Sequence, residues 1–255
     1  MKKFKLSKII SLTLCMMILL SSYAMAYETK HNGFKENKNG ETYGTGLQAD
    51  ILGYEPDLLL ATGENNVLGY VRVTDLDEPT PSSPKEASKI QKKRIETKYT
   101  GRYIPLYASD GRTVIGRFLV AFDKSEILIT KSSTDYTYGN IGTITVGSHY
   151  NAITKSGIKS VSGGVRGVTT ITASKSVSIS WLGAQARIYK KSNNSLVRST
   201  SFYYNTTAGT TFSQDGYHAT AVNTEYYSKG VVKTWNPNIS NYWTTNTFAS
   251  PCVKP

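Results

Sequence analysis

Short stretches of β-forming residues, separated by turn signals, run through the second half of this 255-residue chain. The alternation of apolar and polar residues is clearest at Val177–Trp181, where Val177, Ile179 and Trp181 are predicted to face the core. Further strands are predicted at Ala184–Tyr189, Leu196–Tyr204, Tyr217–Tyr227 and Val231–Trp235. No segment here has a helical period, so residues 141–255 are predicted to form an antiparallel β-sandwich.

The first half contains a weak internal repeat. Residues 67–73 align with residues 114–120, and each copy follows an apolar run and a turn signal. The turn signals are Asn65-Asn66 and Asp110-Gly111. Because Asn and Gly tolerate positive φ, both units are predicted to be β-hairpins. Gly69 and Gly116, in the second strands, indicate a bulge or a close approach of two backbones.

One helix is predicted between these hairpins. Ser83 can cap its N-terminus, Pro84 suits the first position, and Glu86 completes a capping box. The helix should end near Thr97, which makes residues 27–123 a small, hairpin-rich α+β domain. The whole chain is therefore predicted to be mainly β. The helix also carries a basic cluster, which is either a solvated face or an anion-binding patch: Lys89, Lys92, Lys93 and Arg94.

The amino terminus has the pattern of a secretory signal peptide. Four early lysines precede an apolar stretch at Ile9–Leu20 and the small residues of Ala24-Met25-Ala26. We expect cleavage after residue 26, which removes Cys15, and a secreted, extracellular or cell-wall-associated protein; a retained membrane anchor is the alternative. The remaining Cys252 cannot close an internal disulfide. It is either a buried residue of a terminal strand or a thiol that pairs with another molecule.

Charge divides the chain into two unequal halves. Removing the four signal-peptide lysines from 30 Lys and Arg leaves 26 against 18 Asp and Glu, a net charge of +8. Residues 27–123 are nearly neutral, whereas residues 124–255 hold 13 basic and four acidic side chains. This asymmetry predicts two domains with different partners, joined by a linker at residues 124–140.

Catalytic motifs are scarce. His31, His149 and His218 are widely spaced, and HExxH, GxSxG and P-loop patterns are missing from the sequence. A hairpin could bring Asp215 and Glu225 together. This carboxylate pair is the remaining candidate for acid–base hydrolysis in the second half. We therefore expect a protein that is not an enzyme and uses no cofactor or metal.

Basic and aromatic side chains of the second half are the candidate binding residues. They are Arg187, Lys190, Lys191, Arg198, Trp235, Tyr242 and Trp243. Cations attract polyanions, and aromatic rings stack on sugars or lie at a membrane interface. The predicted partner is an anionic or sugar-bearing polymer of the cell envelope, or a membrane surface; export disfavours nucleic acid. The alternative is a bacteriocin-like or membrane-perturbing secreted toxin.

Both halves resemble proteins of Gram-positive bacteria. Residues 35–122 resemble an extracytoplasmic segment that is sometimes labelled by association with BlaR-type membrane metallopeptidases. The matching residues are Asn39–Gly44, Glu55–Leu58, Gly69–Arg72, Ile104–Tyr107 and Thr113–Gly116. This resemblance implies an extracellular location. It implies no peptidase activity for this chain, because the HExxH motif of such peptidases is missing from the sequence.

The second half is similar to small, uncharacterised secreted β-sandwich proteins. The matching residues are Gly183–Tyr189, Ser201–Asn205 and Tyr226–Gly230. The segment Ser201–Asn205 also resembles lactococcin-like bacteriocins. This likeness implies a sandwich fold and is the basis of the toxin alternative.

Overall fold

A computed structural model describes residues 33–122, 135–220 and 223–255. The predicted signal peptide (1–26) and most of the predicted linker (124–140) lie outside these residues. The structure is mainly β with few helices and several sheets, which confirms the predicted fold class.

The first half contains three short helices and six strands among its described residues. The helices are α1 (Gly46–Leu52), α2 (Val73–Leu76) and α3 (Pro84–Glu96), with a 3₁₀ turn at Glu64–Asn66. The strands are β1 (Lys35–Glu36), β2 (Thr42–Gly44), β3 (Leu58–Thr62), β4 (Leu68–Arg72), β5 (Gly101–Tyr107) and β6 (Val114–Ala121).

The described residues of the second half form strands β7 to β18. The first six are β7 (Thr137–Tyr138), β8 (Gly142–Val146), β9 (Tyr150–Val161), β10 (Gly164–Val177), β11 (Leu182–Gln185) and β12 (Arg187–Lys190). The others are β13 (Ser195–Thr200), β14 (Tyr203–Tyr204), β15 (Gly209–Ala219), β16 (Tyr226–Ser228), β17 (Val231–Asn236) and β18 (Asn241–Asn246).

Strands from both halves share one nine-stranded sheet, in the order β1-β2-β3-β4-β5-β6-β13-β12-β16. Strand β13 pairs in parallel with β6, where Ser199 lies opposite Val120, and with β3, where Leu196 lies opposite Ala61. Leu196 packs in one buried cluster with the first-half residue Leu59. The chain from Phe34 to Pro255 therefore packs as one compact unit where the sequence predicts two domains.

The two predicted hairpins are confirmed as the antiparallel pairs β3–β4 and β5–β6. A Cβ atom on Gly69 would lie 2.7 Å from the carbonyl oxygen of Tyr107, so this glycine permits a close approach of two backbones. Opposite Gly116, the register shifts between Leu106 and Tyr107, which is a bulge.

The predicted helix is also confirmed as α3. The Ser83 hydroxyl accepts a hydrogen bond from the Glu86 amide, and Pro84 occupies the first turn. The Glu86 carboxylate departs from the predicted capping box, because it accepts from the amide and the hydroxyl of Ser82, each at 2.6 Å. Ala87 and Gln91 form the buried face of the helix.

Replacing Ser83 by Ala should lower the free energy of unfolding by about 1 kcal/mol, because the Glu86 amide loses its capping acceptor. Urea unfolding measures this change. Ser83→Asp, which keeps a side-chain acceptor, should unfold at nearly the wild-type midpoint, and an equal loss in both variants would contradict the capping role.

Three neighbouring segments of chain pass from the nine-stranded sheet into a second, four-stranded sheet. The order of the second sheet is β14-β11-β17-β18, and its first three strands continue β13, β12 and β16 of the first sheet in the same order. The bends fall at Ala186, at Ser201-Phe202 and at Lys229-Gly230, and we call this region the corner. Hydrogen bonds continue through it, since the Thr200 amide donates to the Ala186 carbonyl at 2.9 Å. The predicted strands Ala184–Tyr189 and Leu196–Tyr204 are thus each two strands, because chains that switch sheets must bend.

The strand predicted at Val177–Trp181 ends at its first residue, although Trp181 packs against the buried core as predicted. Strand β10 ends at Val177, and a turn follows in which Ser180 has a φ of +60°. Ile179 lies on the surface, 49% exposed, instead of facing the core. Val177 and Trp181 both contact the core, but they lie on opposite sides of a tight turn. Their spacing in the sequence is the same as that of alternate residues in a strand, which explains the error.

The second half forms the predicted sandwich with the four-stranded sheet as one layer. The other layer has the order β15-β10-β9-β7, with β8 also paired to β9. Ile171 and Phe212 of this layer pack in one buried cluster with Leu182 and Val232 of the four-stranded sheet. The two layers therefore enclose an apolar core.

Candidate functional site

Three of the predicted binding residues are buried and cannot contact a polymer. Arg187 is 0% exposed, and Trp235 and Tyr242 pack edge to face with ring centroids 5.1 Å apart. The Tyr242 hydroxyl donates to the carbonyl oxygen of Ser180. These assignments are corrections, because the sequence alone did not show which face of each strand the second sheet covers.

Arg187 belongs to a buried charge cluster at the corner. Its guanidinium donates to Glu55 at 2.7 Å, to Asp77 at 2.5 Å and to the Gln185 side chain at 2.9 Å. Burial raises the pKa of Asp77, and the attraction of Arg187 opposes that rise. Burial by itself would lower the pKa of Arg187, but Glu55 and Asp77 raise it, so this arginine stays charged and joins the two halves.

The other predicted residues are accessible to solvent, at two separate places. Lys190 ends β12, Lys191 follows it, and Arg198 lies on the neighbouring strand β13. Neither lysine forms an ion pair with a carboxylate among the described residues. Trp243, 37% exposed, lies on β18 of the four-stranded sheet and is not part of the lysine cluster.

Arg198 lines an open groove of about 340 Å³ between the two halves, which we call the β13–β15 groove. Its walls are Thr62, Gly63, Glu64, Phe118, Leu119, Val197, Arg198, Tyr217, His218 and Ala219. On the first-half wall, Glu64 already pairs with Arg117. The Tyr217 hydroxyl donates to the carbonyl oxygen of Gly163 at 2.9 Å, which fixes the Tyr217 side chain against the turn between β9 and β10.

The pKa of His218, which lines this groove, is strongly lowered. Its pKa is lowered to about 4, mainly by burial and in addition by the positive charges of Arg198 and Lys190. The imidazole is therefore neutral at physiological pH, and the positive potential at the groove comes from Arg198 and Lys190. A neutral imidazole can both donate and accept hydrogen bonds, as recognition of sugar hydroxyls requires.

Sequence reasoning missed Tyr217, His218 and the first-half wall of this groove. Tyr217 and His218 lie in a predicted strand, so strand alternation could have placed one of them on an accessible face. The contribution of Glu64 and Phe118 could not be seen, because the prediction assigned the two halves to separate domains.

The described residues offer little catalytic chemistry. Asp215 is buried and paired with Arg166 at 2.8 Å, whereas Glu225 pairs with Lys254 at 3.9 Å, so the two acids are held by different cations. No cluster of three metal-ligating side chains occurs in the described ranges. Cys252 is exposed, so the first of the two alternatives, a buried residue, is wrong. The partial desolvation that remains raises the pKa of its thiol, which lowers its reactivity.

Comparisons with known proteins add no assignment. No protein-family model, curated protein or solved structure matches the chain. In the part of the chain that the structure describes, none of the helices has the length and apolar character needed to span a membrane.

Proposed function

We propose that this chain is an exported, non-enzymatic binding protein that recognises an anionic, sugar-bearing polymer of the Gram-positive envelope through the β13–β15 groove. The observation that supports this proposal is the position of Arg198 and His218 on one open groove, with Lys190 close by; burial is the main cause of the lowered His218 pKa, and the charges of Arg198 and Lys190 add to it. Tyr217 is a further residue of the same wall.

The charge balance at the groove favours an anion. Among the described residues that line it, the carboxylate is Glu64, which is paired with Arg117 on its own wall. Lys190 and Lys191 extend the positive potential beyond the groove along the end of β12. An open groove with long-range positive potential suits a chain-like polyanion, which can extend past either end.

Sugar units are the second part of the proposed ligand. Tyr217 and His218 are both among the residues that line the groove, and planar rings stack on the apolar faces of sugars. The neutral imidazole adds a hydrogen-bonding group that does not compete with the cations for phosphate or carboxylate groups.

Reversing the charge of Lys190 and Lys191 tests the proposal. The Lys190→Glu/Lys191→Glu variant should bind isolated Gram-positive cell walls at least about tenfold more weakly at low salt, because the attraction becomes repulsion. Its binding should also depend less on salt. The measurement is cosedimentation with walls across a salt series, using intact walls and walls stripped of phosphate polymers.

The matched control is Lys85→Glu/Lys89→Glu, which makes the same change in net charge on the exposed face of α3. This control should bind walls like the wild type. Equal losses in both variants, or unchanged binding by the Lys190/Lys191 variant, would contradict the groove. Dye release from anionic vesicles without wall binding would instead support the toxin alternative.

A further inference from the structure

A second, more enclosed cavity of about 270 Å³ lies where α3 and the loop after α2 meet the corner. We call it the corner cavity, and it is separate from the β13–β15 groove. It is lined by Glu78, Pro79, Pro81, Ile90, Arg94, Arg102, Phe202, Tyr204 and Lys233. Since a water molecule takes about 30 Å³ of liquid, the cavity holds roughly nine water volumes, enough for a small organic acid.

Three cations and one carboxylate line the corner cavity. Glu78 bridges the two arginines, at 2.8 Å from Arg94 and 3.4 Å from Arg102. Lys233, 2% exposed, donates to the Thr80 hydroxyl at 2.9 Å. It forms no ion pair with a described carboxylate. Among the residues that line the cavity, one acid thus opposes three cations, and the lining carries an excess of positive charge.

The hydroxyl of Tyr204 is the second indication of a ligand. Tyr204 is 5% exposed and lines the cavity, yet its hydroxyl has no hydrogen-bond partner among the described residues. Leaving a buried hydroxyl unpaired is costly, and native structures rarely do so. Burial raises the pKa of Tyr204, so the group remains a hydrogen-bond donor.

The surrounding structure holds these groups in place. The side-chain amide of Gln91 donates to the Tyr204 carbonyl at 2.9 Å and accepts from the Tyr204 amide at 2.8 Å, which fixes β14 against α3. Glu78 has a φ of +35°, an unfavourable conformation for a side chain other than glycine. Such local strain is common at ligand sites. The ring of Phe202, 4.1 Å from the Lys233 ammonium, forms the floor.

We propose that the corner cavity binds the carboxylate group of a small acid, about the size of one acidic sugar. A lysine ammonium pairs with a carboxylate, and a neutral phenol donates a hydrogen bond to an anion. The ligand carboxylate would accept from Tyr204 and pair with Lys233 while Glu78 stays on the arginines. This site is independent of the groove and of the function proposed above.

Titration calorimetry of the full chain with sodium glucuronate tests the site, with glucose and sodium phosphate as the neutral and the phosphate probe. We expect glucuronate to bind, glucose to bind at least tenfold more weakly, and phosphate not to replace glucuronate. Undetectable glucuronate binding, or equal affinity for glucose, would overturn the proposal. Preferential binding of phosphate would overturn the carboxylate assignment.

Tyr204→Phe should weaken glucuronate binding about tenfold, since it removes one hydrogen bond to a charged group. It should not lower stability, because the hydroxyl has no partner in the free protein. The matched control is Tyr227→Phe, which removes a buried, unpartnered hydroxyl outside the cavity lining. An equal loss of binding in both variants, or no loss in Tyr204→Phe, would argue against the site.

The pH dependence gives a third readout, through Lys233. Burial lowers its pKa to about 8, against the attraction of Asp77 and Glu78 and together with repulsion from Arg187. The other charged side chains that line the cavity are Glu78, Arg94 and Arg102. Binding should therefore weaken by up to about tenfold from pH 7 to pH 9, as the ammonium loses its proton.

Lys233→Met should abolish this pH dependence and weaken binding at pH 7. A pH dependence that persists in the folded Lys233→Met variant would assign it to another group and contradict the role of Lys233. If that variant does not fold, the Tyr204→Phe and Tyr227→Phe pair still decides the proposal. The Lys190→Glu/Lys191→Glu variant should bind glucuronate like the wild type, which separates a failure of this site from a failure of the groove.

Discussion

Replacing Arg187 by Met should lower the free energy of unfolding by about 3–5 kcal/mol at pH 7, close to the whole stability of many domains. Arg187 is fully buried, and its removal leaves Glu55 and Asp77 without their shared cation. An uncompensated charge away from water is among the most destabilising changes known for a single side chain. Urea unfolding followed by circular dichroism measures the loss.

The difference in the free energy of unfolding between the wild type and Arg187→Met should become smaller as the pH falls. Burial already raises the pKa of Asp77 above its ordinary value of 3.8, and removing the arginine removes the attraction that opposes this rise. The folded variant then holds a proton on Asp77 at pH values where the unfolded chain has lost it. Its stability therefore falls as pH rises through that window and recovers below it.

Two comparisons separate lost charge from lost packing at Arg187. The triple variant Arg187→Met/Glu55→Gln/Asp77→Asn should recover much of the stability, because no unpaired charge remains. Arg117→Met, which breaks the exposed pair with Glu64, should unfold near the wild-type midpoint. A small loss in Arg187→Met, or no recovery in the triple variant, would show that the cluster is not electrostatically coupled as the structure indicates.

Replacing Gly230 by Ala should cost about 3 kcal/mol and disrupt the corner. A Cβ atom there would lie 1.9 Å from the Thr169 hydroxyl oxygen and 2.4 Å from the carbonyl oxygen of Gln185, so one of these groups has to move. The Gly230 amide donates to Ser156 and Thr247, which bond the corner to both layers of the sandwich. Movement of this backbone weakens those bonds as well.

The matched control is Gly209→Ala, since a Cβ at Gly209 meets nothing within 4 Å. This variant should be as stable as the wild type or slightly more stable, because alanine restricts the unfolded chain. Adding Thr169→Ala to Gly230→Ala should recover only part of the loss, since the contact with the Gln185 backbone remains. Comparable unfolding midpoints for Gly230→Ala and Gly209→Ala would contradict the tight approach at the corner.

Features that depend on neighbours in the sequence were predictable here. The hairpins β3–β4 and β5–β6 follow turn residues that tolerate positive φ, and α3 follows a serine cap and a proline. The β-sandwich follows from repeated short strands. Alternation failed at Ile179 and Ser180, where a tight turn carries the same apolar spacing as a strand.

Features that depend on distant contacts were not predictable. The sequence marked Arg187, Trp235 and Tyr242 as surface residues because charge and ring content do not reveal which sheet covers a strand. The groove and the corner cavity are each built from both halves, through the pairing of β13 with β3 and β6. Neighbouring residues in the sequence do not indicate this pairing, because β13 is far from β3 and β6 along the chain.

The amino-acid sequence by itself therefore determined the strand-rich class, the hairpins and the start of α3, because backbone conformation at turns and caps is a local property. The tertiary structure alone decided which cations are accessible at the groove and which are buried in the cluster around Arg187. It also brought Tyr204 and Lys233 into the lining of one cavity. The reason is physical: burial and electrostatic potential at a side chain are set by whichever segments pack against it, however distant in sequence.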